Sequence, residues 1–437
     1  MAFVTNHLLL LLVQTFRLVL AKVLHLVDQL SFAVNHIVQL TLSQLPYGKP
    51  PCQITLPVAN FHPGVLVTGT STGIGHDLAL SLAHAGYTVF AGVRRPEDGL
   101  DLRDTYERER RTNRRRNLTP NVRPGQILPV ILDVANDLQM SDSVAAVQEA
   151  LEQLDIPLIA LVNNAGVSVS SPMELVTDDM LRQTFAVNYI GPVRLTQRLL
   201  PLLRRHHGRV INISSVTAWL PSPGFGVYSA SKAALLATSN AWRMELAAFG
   251  VPVSVIEPGR VNTALWGKLA GQLEYHQSRL ASLRPTPGSV SPRPRRRSLS
   301  ATFPDRPHQS TDTPSGESSP ASTSPLAAPT AGKRNNASSA AAATTKADNP
   351  LPASPRLQAA GELYEPMFRR LKTNGSDMYP SLIFSSDHCI EAVTHALTSS
   401  FPKASYRVGW DSRLASIAIA LIGEPVVEFL YRLQGVV

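Results

Sequence analysis

From Gly64 onward, short apolar runs alternate with amphipathic stretches of helical length, the pattern of repeated βα units that build a parallel sheet. The runs predict strands at Val65–Thr68, Thr88–Val93, Ile127–Leu132, Leu158–Val162, Arg209–Ile213, Val253–Ile256 and, much later, Tyr406–Val408. Between them, apolar positions at helical spacing predict helices at Ile74–Ala85, Leu138–Leu154, Asp178–Leu203, Val227–Phe249 and His388–Ser399. Strands wholly apolar over their length are those covered on both faces, so the expected fold class is α/β, a doubly wound parallel sheet in a single domain.

Two segments break this pattern. Residues 1–48 carry only Arg17, Lys22 and Asp28 as formal charges, yet polar residues dilute the stretch after Asp28. A clean span needs about 20 mostly apolar residues. An amphipathic helix or helix pair lying in a membrane interface fits better, with packing on the folded domain or a subunit interface as the alternative. A secretory leader is not expected, because no basic region precedes the apolar run and no small-residue cleavage site follows it. The second segment, Arg284–Arg356, holds 13 of the 34 prolines and only Val290, Leu299, Phe303, Leu326 and Leu351 as large apolar residues. Such a stretch buries too little surface to offset its ordering entropy, so it is read as a disordered insert. The expected organisation is an apolar segment at 1–50, a nucleotide-binding domain at 61–283, the insert at 284–356, and the rest of the domain at 357–437.

Composition narrows the classes. The chain has 437 residues, 44% of them hydrophobic and 17% charged, as globular proteins do. Two cysteines, Cys52 and Cys389, make neither a disulfide framework nor a metal-ligand spacing, and no metal is expected. The net charge of +9 sits in two places: the insert, and Arg103–Arg116, which has seven arginines. With only Phe303 and Tyr106 as aromatic residues, these runs read as solvated loops and not as a nucleic-acid face.

The first strand runs into Thr68-Gly69-Thr70-Ser71-Thr72-Gly73-Ile74-Gly75, with a helix at once after it. Glycines there let the backbone turn and approach a pyrophosphate, whose charge meets the free N–H groups of a helix N-terminus. The acid expected after the second strand for ribose hydroxyls is absent; Val93, Arg94 and Arg95 stand there instead. A guanidinium suits a 2′-phosphate, so NADP(H) is the expected cofactor and NAD the alternative. Further on come Asn163-Asn164-Ala165-Gly166, Asn188, Ser214-Ser215 and Tyr228-Ser229-Ala230-Ser231-Lys232. Tyr228 and Lys232 stand four apart, on one helical face.

This set, in this order, resembles the short-chain dehydrogenase/reductase family. The resemblance covers Gly64 to about Lys268 and resumes from about Asp387 to Leu421. Asp133-Val134, Pro258-Gly259 with Val261 and Thr263, and the 13 residues separating Ser215 from Tyr228 belong to it. Arg243-Met244-Glu245-Leu246, Glu257-Pro258-Gly259 and Tyr406-Arg407-Val408-Gly409-Trp410-Asp411 look like the branch of retinol, 17β-hydroxysteroid and 3-hydroxybutyrate dehydrogenases. The resemblance implies Tyr228 as general acid/base, lowered by the ammonium of Lys232, Ser215 as the group holding the substrate oxygen, and Asn188 as the anchor of a proton-relay water. It assigns to the cofactor Thr68, Gly69, Ser71, Gly73, Ile74, Gly75, Arg94, Asp133, Val134, Asn163, Ala165, Gly166, Pro258, Gly259, Val261 and Thr263, besides Tyr228 and Lys232.

The expected function is hydride transfer between a nicotinamide cofactor and an apolar alcohol or ketone, a retinoid, steroid or other lipid. Trp219, Phe225, Leu265, Trp266, Leu269 and Leu273 are the candidates for an apolar substrate pocket. A small hydroxy-acid dehydrogenase and a catalytically silent nucleotide-binding scaffold are the rivals. The expected setting is a membrane surface, at the endoplasmic reticulum before mitochondrion or lipid droplet, with no nucleic-acid partner. A homodimer through Asp178–Leu203 and Val227–Phe249 is implied by the resemblance.

Overall fold

The computed structural model describes residues 61–116, 125–261 and 385–422, together with seven residues between 22 and 37. The segment from 284 to 356 and most of the N-terminal apolar stretch lie outside the described residues.

Seven parallel strands form one sheet in the order β3-β2-β1-β4-β5-β6-β7. They are β1 (Gly64–Thr68), β2 (Thr88–Val93), β3 (Gln126–Ile131), β4 (Leu158–Asn163), β5 (Arg209–Ile213), β6 (Val253–Pro258) and β7 (Ser405–Val408). Every one coincides with an expected strand to within two residues. The helices are α1 (Ile74–His84), α2 (Pro96–Arg116), α3 (Asp137–Leu154), α4 (Asp178–Phe185), α5 (Gly191–Arg205), α6 (Gly226–Glu245), α7 (Asp387–Thr398) and α8 (Trp410–Ile422). The chain moves outward from β1 to β3, then crosses back to β4 beside β1, so strand order reverses between β1 and β4. In an open parallel sheet that switch point, at the carboxyl ends of the strands, is where a ligand crevice opens.

Alternation along each strand builds two cores. Val65 and Val67 of β1 with Val89 and Ala91 of β2 face Leu78 and Leu82 of α1, Tyr106 of α2 and Val393 and Leu397 of α7. Leu66 and Phe90 point the other way, onto Val144 and Leu151 of α3, Leu195 and Leu199 of α5 and Trp242 of α6. β7, which follows the insert in sequence, pairs with β6 from Val255↔Ser405 to Pro258↔Val408. The last part of the chain therefore completes the same sheet.

Two local structures differ from the sequence expectation. The Arg-rich stretch is a helix, α2, and not a solvated loop. Its seam is narrow: Leu102 and Tyr106 are buried four residues apart, and the Tyr106 hydroxyl donates to the Gly125 carbonyl at 2.8 Å. Glu97 and Asp98 lie in its first turn, where they complement the helix dipole, and Arg110 pairs with Glu107 at 3.2 Å one turn back. The expected single helix over Asp178–Leu203 is divided by a π-helical turn, Ala186–Ile190. Pro192 has no N–H to offer the Asn188 carbonyl, so the ordinary α ladder cannot run through this point.

Candidate active site

A cleft of about 320 Å³ opens at the switch point. One end is the β1–α1 loop. Gly69 has φ +69°, and a side chain there would press on the Ala165 backbone. A side chain at Gly75 would collide with the Gly69 carbonyl and the Asn164 amide, so the helix can seat against the loop only as glycine. The α1 N-terminus thus faces the cleft with Ser71, Gly73 and Ile74 on its wall.

Thr68 stands behind that wall. Its Oγ1 accepts from the backbone N–H groups of Asn164 at 3.0 Å and Ala165 at 2.9 Å, fastening the β4 turn to β1. Of the paired asparagines, Asn164 reaches the cleft and donates to the carbonyls of Thr68 and Gly69 at 2.9 and 3.0 Å. Asn163 faces the opposite side, donating to Thr196 at 3.0 Å and Asn212 at 2.8 Å. Ala165 and Gly166 line the cleft with Val134 and Asp133, whose Oδ1 accepts from the Ala135 N–H at 2.9 Å. Arg94, exposed after β2, lines the cleft too; Arg95 does not.

At the other end stand Ser215, Tyr228 and Lys232. Ser215 follows β5, while Tyr228 and Lys232 share one face of α6. The Lys232 ammonium donates to the Ile213 carbonyl at 2.8 Å and lies 5.8 Å from the centroid of the Tyr228 ring. Burial pulls Lys232 down to about 8 and pushes the Tyr228 phenol up, while a hydrogen bond from Ser215 works against that rise. The sequence reading has Lys232 lowering the phenol; here desolvation dominates, and the ammonium is directed at Ile213.

Asn188 lies behind them on the π-helical turn, fully buried. Its amide exchanges two 2.8 Å hydrogen bonds with the backbone of Val167 and donates to Ser231 at 3.0 Å. A fourth wall, Pro258, Gly259 and Val261, is held by the C-terminal part of the chain. The Asp411 carboxylate accepts from the Arg260 N–H at 3.0 Å, and the Gly259 N–H donates to Val408 at 2.8 Å.

Of the candidate residues, the cleft thus gathers Gly69, Ser71, Gly73, Ile74, Arg94, Asp133, Val134, Ala165, Gly166, Ser215, Tyr228, Lys232, Pro258, Gly259 and Val261. Thr68, Gly75, Asn163 and Asn188 stand behind it. Thr263 and the pocket candidates Leu265, Trp266, Leu269 and Leu273 lie outside the described residues. Trp219 donates from its indole to the buried Glu257 at 2.8 Å, with the Arg407 guanidinium 5.1 Å from its ring. Among the described residues, no group of three or more His, Cys, Asp or Glu could hold a metal ion. Asn164 belongs to the Asn163–Gly166 motif but was not singled out; sequence reasoning passed over Thr217 and Asp98, of which only Asp98, three residues from Arg95 at a helix start, carried a readable signal.

The short chain dehydrogenase family profile matches residues 64–274. An NADPH-dependent 3-dehydrocapnine reductase of Ornithobacterium rhinotracheale is 33% identical over 208 residues, 46% of this chain and 67% of the relative. This chain belongs to the short-chain dehydrogenase family. Other members similar to it are a 3-amino-tetrahydro-pyrrolizinone reductase of Xenorhabdus hominickii, 36% identical over 47% of this chain and 63% of the relative. Estradiol 17-beta-dehydrogenase 2 of Rattus norvegicus is 36% identical over 49% of this chain and 54% of its own length. The chain thus spans about half to two thirds of the length of these short-chain dehydrogenases. The match ends at residue 274, short of the insert and of the C-terminal part that supplies β7.

Proposed function

We propose that this protein is an NADP(H)-dependent oxidoreductase that moves hydride between the nicotinamide and a carbon bearing a hydroxyl or carbonyl group, on an apolar, lipid-like substrate. The observation carrying this reading is that one cleft has a glycine-lined helix N-terminus and Arg94 at one end, and Ser215, Tyr228 and Lys232 at the other. The first end fits a dinucleotide: a pyrophosphate suits free N–H groups, and a guanidinium suits a 2′-phosphate. When bound, the cofactor supplies the hydride chemistry, and the protein supplies orientation and proton transfer.

In this reading Ser215 and Tyr228 hold the substrate oxygen, and Tyr228 passes the proton to or from it. Burial raises the phenol, so at neutral pH Tyr228 holds the proton that it can donate to a carbonyl oxygen. Lys232 and Asn188 stand behind Tyr228 as the route by which that proton exchanges with solvent. Asp133 would meet the adenine and Gly259–Val261 the nicotinamide. Similarity to an NADPH-dependent reductase and to an estradiol dehydrogenase supports the cofactor and the substrate class.

A membrane surface is the proposed setting, with the endoplasmic reticulum first. What supports it is that Leu26, Leu30, Val34 and Ile37, on one helical face, are each more than half exposed. Among the described residues no helix is long and apolar enough to cross a membrane. The test is NADPH oxidation with a panel of steroid, retinoid and other lipid carbonyls, on wild type and Tyr228→Phe. The expected result is turnover of at least one class that falls by 100-fold or more in Tyr228→Phe, with NADPH binding kept; the contrary result is equal turnover in the two proteins.

A further inference from the structure

Two adjacent guanidinium groups follow β2, and the structure treats them differently. Arg94 lines the cleft. Arg95 turns onto the first turn of α2, where its Nε donates to Asp98 Oδ2 at 3.1 Å and its Nη2 donates to Asp98 Oδ1, a bidentate fork. The pair is uneven in exposure: the Arg95 side chain is 73% exposed and that of Asp98 only 17%. Ser71, which lies on the cleft wall in the glycine-rich loop, is close enough to Asp98 to help hold its carboxyl down. The carboxylate therefore stands between the β2–α2 turn and the β1–α1 loop, the two segments that flank the adenosine end of the cleft.

We infer that Asp98 sets how strongly this cleft prefers a 2′-phosphorylated dinucleotide. The inference rests on the NADP(H) reading above. Asp98 acts against a phosphate dianion in three ways that share one sign. It holds Arg95 away, so that Arg94 is the cation on the cleft wall. It faces the Ser71 hydroxyl, a natural phosphate donor, and competes for it. It also places a negative charge one turn from Arg94, where it offsets that cation. The Arg95 fork holds Asp98 below the ordinary carboxylate range, so the charge is present at neutral pH. An unphosphorylated ribose carries no charge, so these effects fall mainly on the 2′-phosphate. Asp98 is thus a specificity residue that holds NADPH selectivity below what two arginines and a serine would give.

The test is fluorescence titration of the purified full-length protein with NADPH and with NADH, for wild type, Asp98→Asn and Asp98→Ser. Both variants keep a polar residue suited to the first turn of a helix, and either can carry the result if the other folds poorly. The expected result is an NADPH-over-NADH affinity ratio raised about three- to tenfold in both variants, with NADH affinity changing much less than NADPH affinity and the gain shrinking as salt rises. In the Arg95→Ala, Asp98→Asn double variant most of that gain should vanish, since the released guanidinium is its main source. An unchanged ratio would overturn the inference. A lowered ratio would also overturn it, by showing that the Arg95–Asp98 pair itself receives the phosphate. Failure of the underlying reading looks different: wild type then binds neither nucleotide, or Arg94→Ala leaves NADPH binding intact.

Discussion

The Lys232 ammonium donates to the Ile213 carbonyl at 2.8 Å, deep in the cleft, with only 3% of the residue exposed. Burial pulls its proton affinity down from 10.5 to about 8. Between those two values the unfolded chain still holds the proton that the folded protein has lost, so stability rises with pH across that window. Below about 8 the full cost of burying the ammonium is present. Lys232→Met should therefore stabilise the protein at pH 7, by roughly 1–3 kcal/mol after allowing for the lost hydrogen bond. The advantage should shrink as pH approaches 10. Thermal melting of both proteins at pH 7 and pH 10 checks this; an equal or lower melting temperature for Lys232→Met at pH 7 contradicts it.

Ser215 is oriented by its neighbour Thr217. Its Oγ accepts from the Thr217 N–H at 3.2 Å and from the Thr217 hydroxyl at 3.1 Å. With both lone pairs engaged, the Ser215 hydroxyl has its own proton left to donate, toward Tyr228 and any substrate oxygen beside it. Thr217→Val removes one donor and frees that hydroxyl to rotate. Loss of one neutral hydrogen bond predicts about a fivefold fall in kcat with KM little changed, and a pH profile displaced upward as Tyr228 loses support. Thr217→Ser should restore both. Steady-state kinetics on the best substrate of the carbonyl panel decides it, and a Thr217→Val enzyme with an unaltered profile would deny Thr217 this role.

Asp411 fastens the wall formed by Pro258, Gly259 and Val261 through the backbone N–H of Arg260 at 3.0 Å, while its other oxygen accepts from the N–H of its neighbour Ser412 at 2.7 Å. Burial pushes its carboxyl up, and those same N–H groups hold it down. Asp411→Ala leaves both donors without their acceptor. The expected cost is about 1–3 kcal/mol of stability, together with weaker NADPH binding. Melting and nucleotide titration read the two effects separately. Full NADPH affinity in a destabilised variant would place Asp411 in folding alone.

Much of this was legible in the residue pattern because the strands are buried on both faces. A run such as Thr88–Val93, apolar at nearly every position, has no reading but a covered strand. The helix α2 was not legible, because among its described residues Leu102 and Tyr106 are the large side chains of the buried seam and seven arginines in 14 residues mask them. The π-helical turn at Asn188 was hidden within one long amphipathic pattern, with Pro192 its one visible mark. Of Asn163 and Asn164, only coordinates tell which reaches the cleft, since adjacent residues at a strand end face opposite ways. The catalytic candidates were found by the spacings among Ser215, Tyr228 and Lys232. The partners that orient them, Thr217, Ile213 and Val167, act through backbone groups or a common hydroxyl and leave no distinctive spacing.

The most direct test of the central claim is titration of the purified protein with NADPH and with NADH, on wild type and on Arg94→Ala. A dinucleotide cleft with Arg94 at its adenosine end predicts tighter binding of NADPH by wild type and loss of that preference in Arg94→Ala, with NADH binding retained. Binding of neither nucleotide by folded wild-type protein would contradict the account.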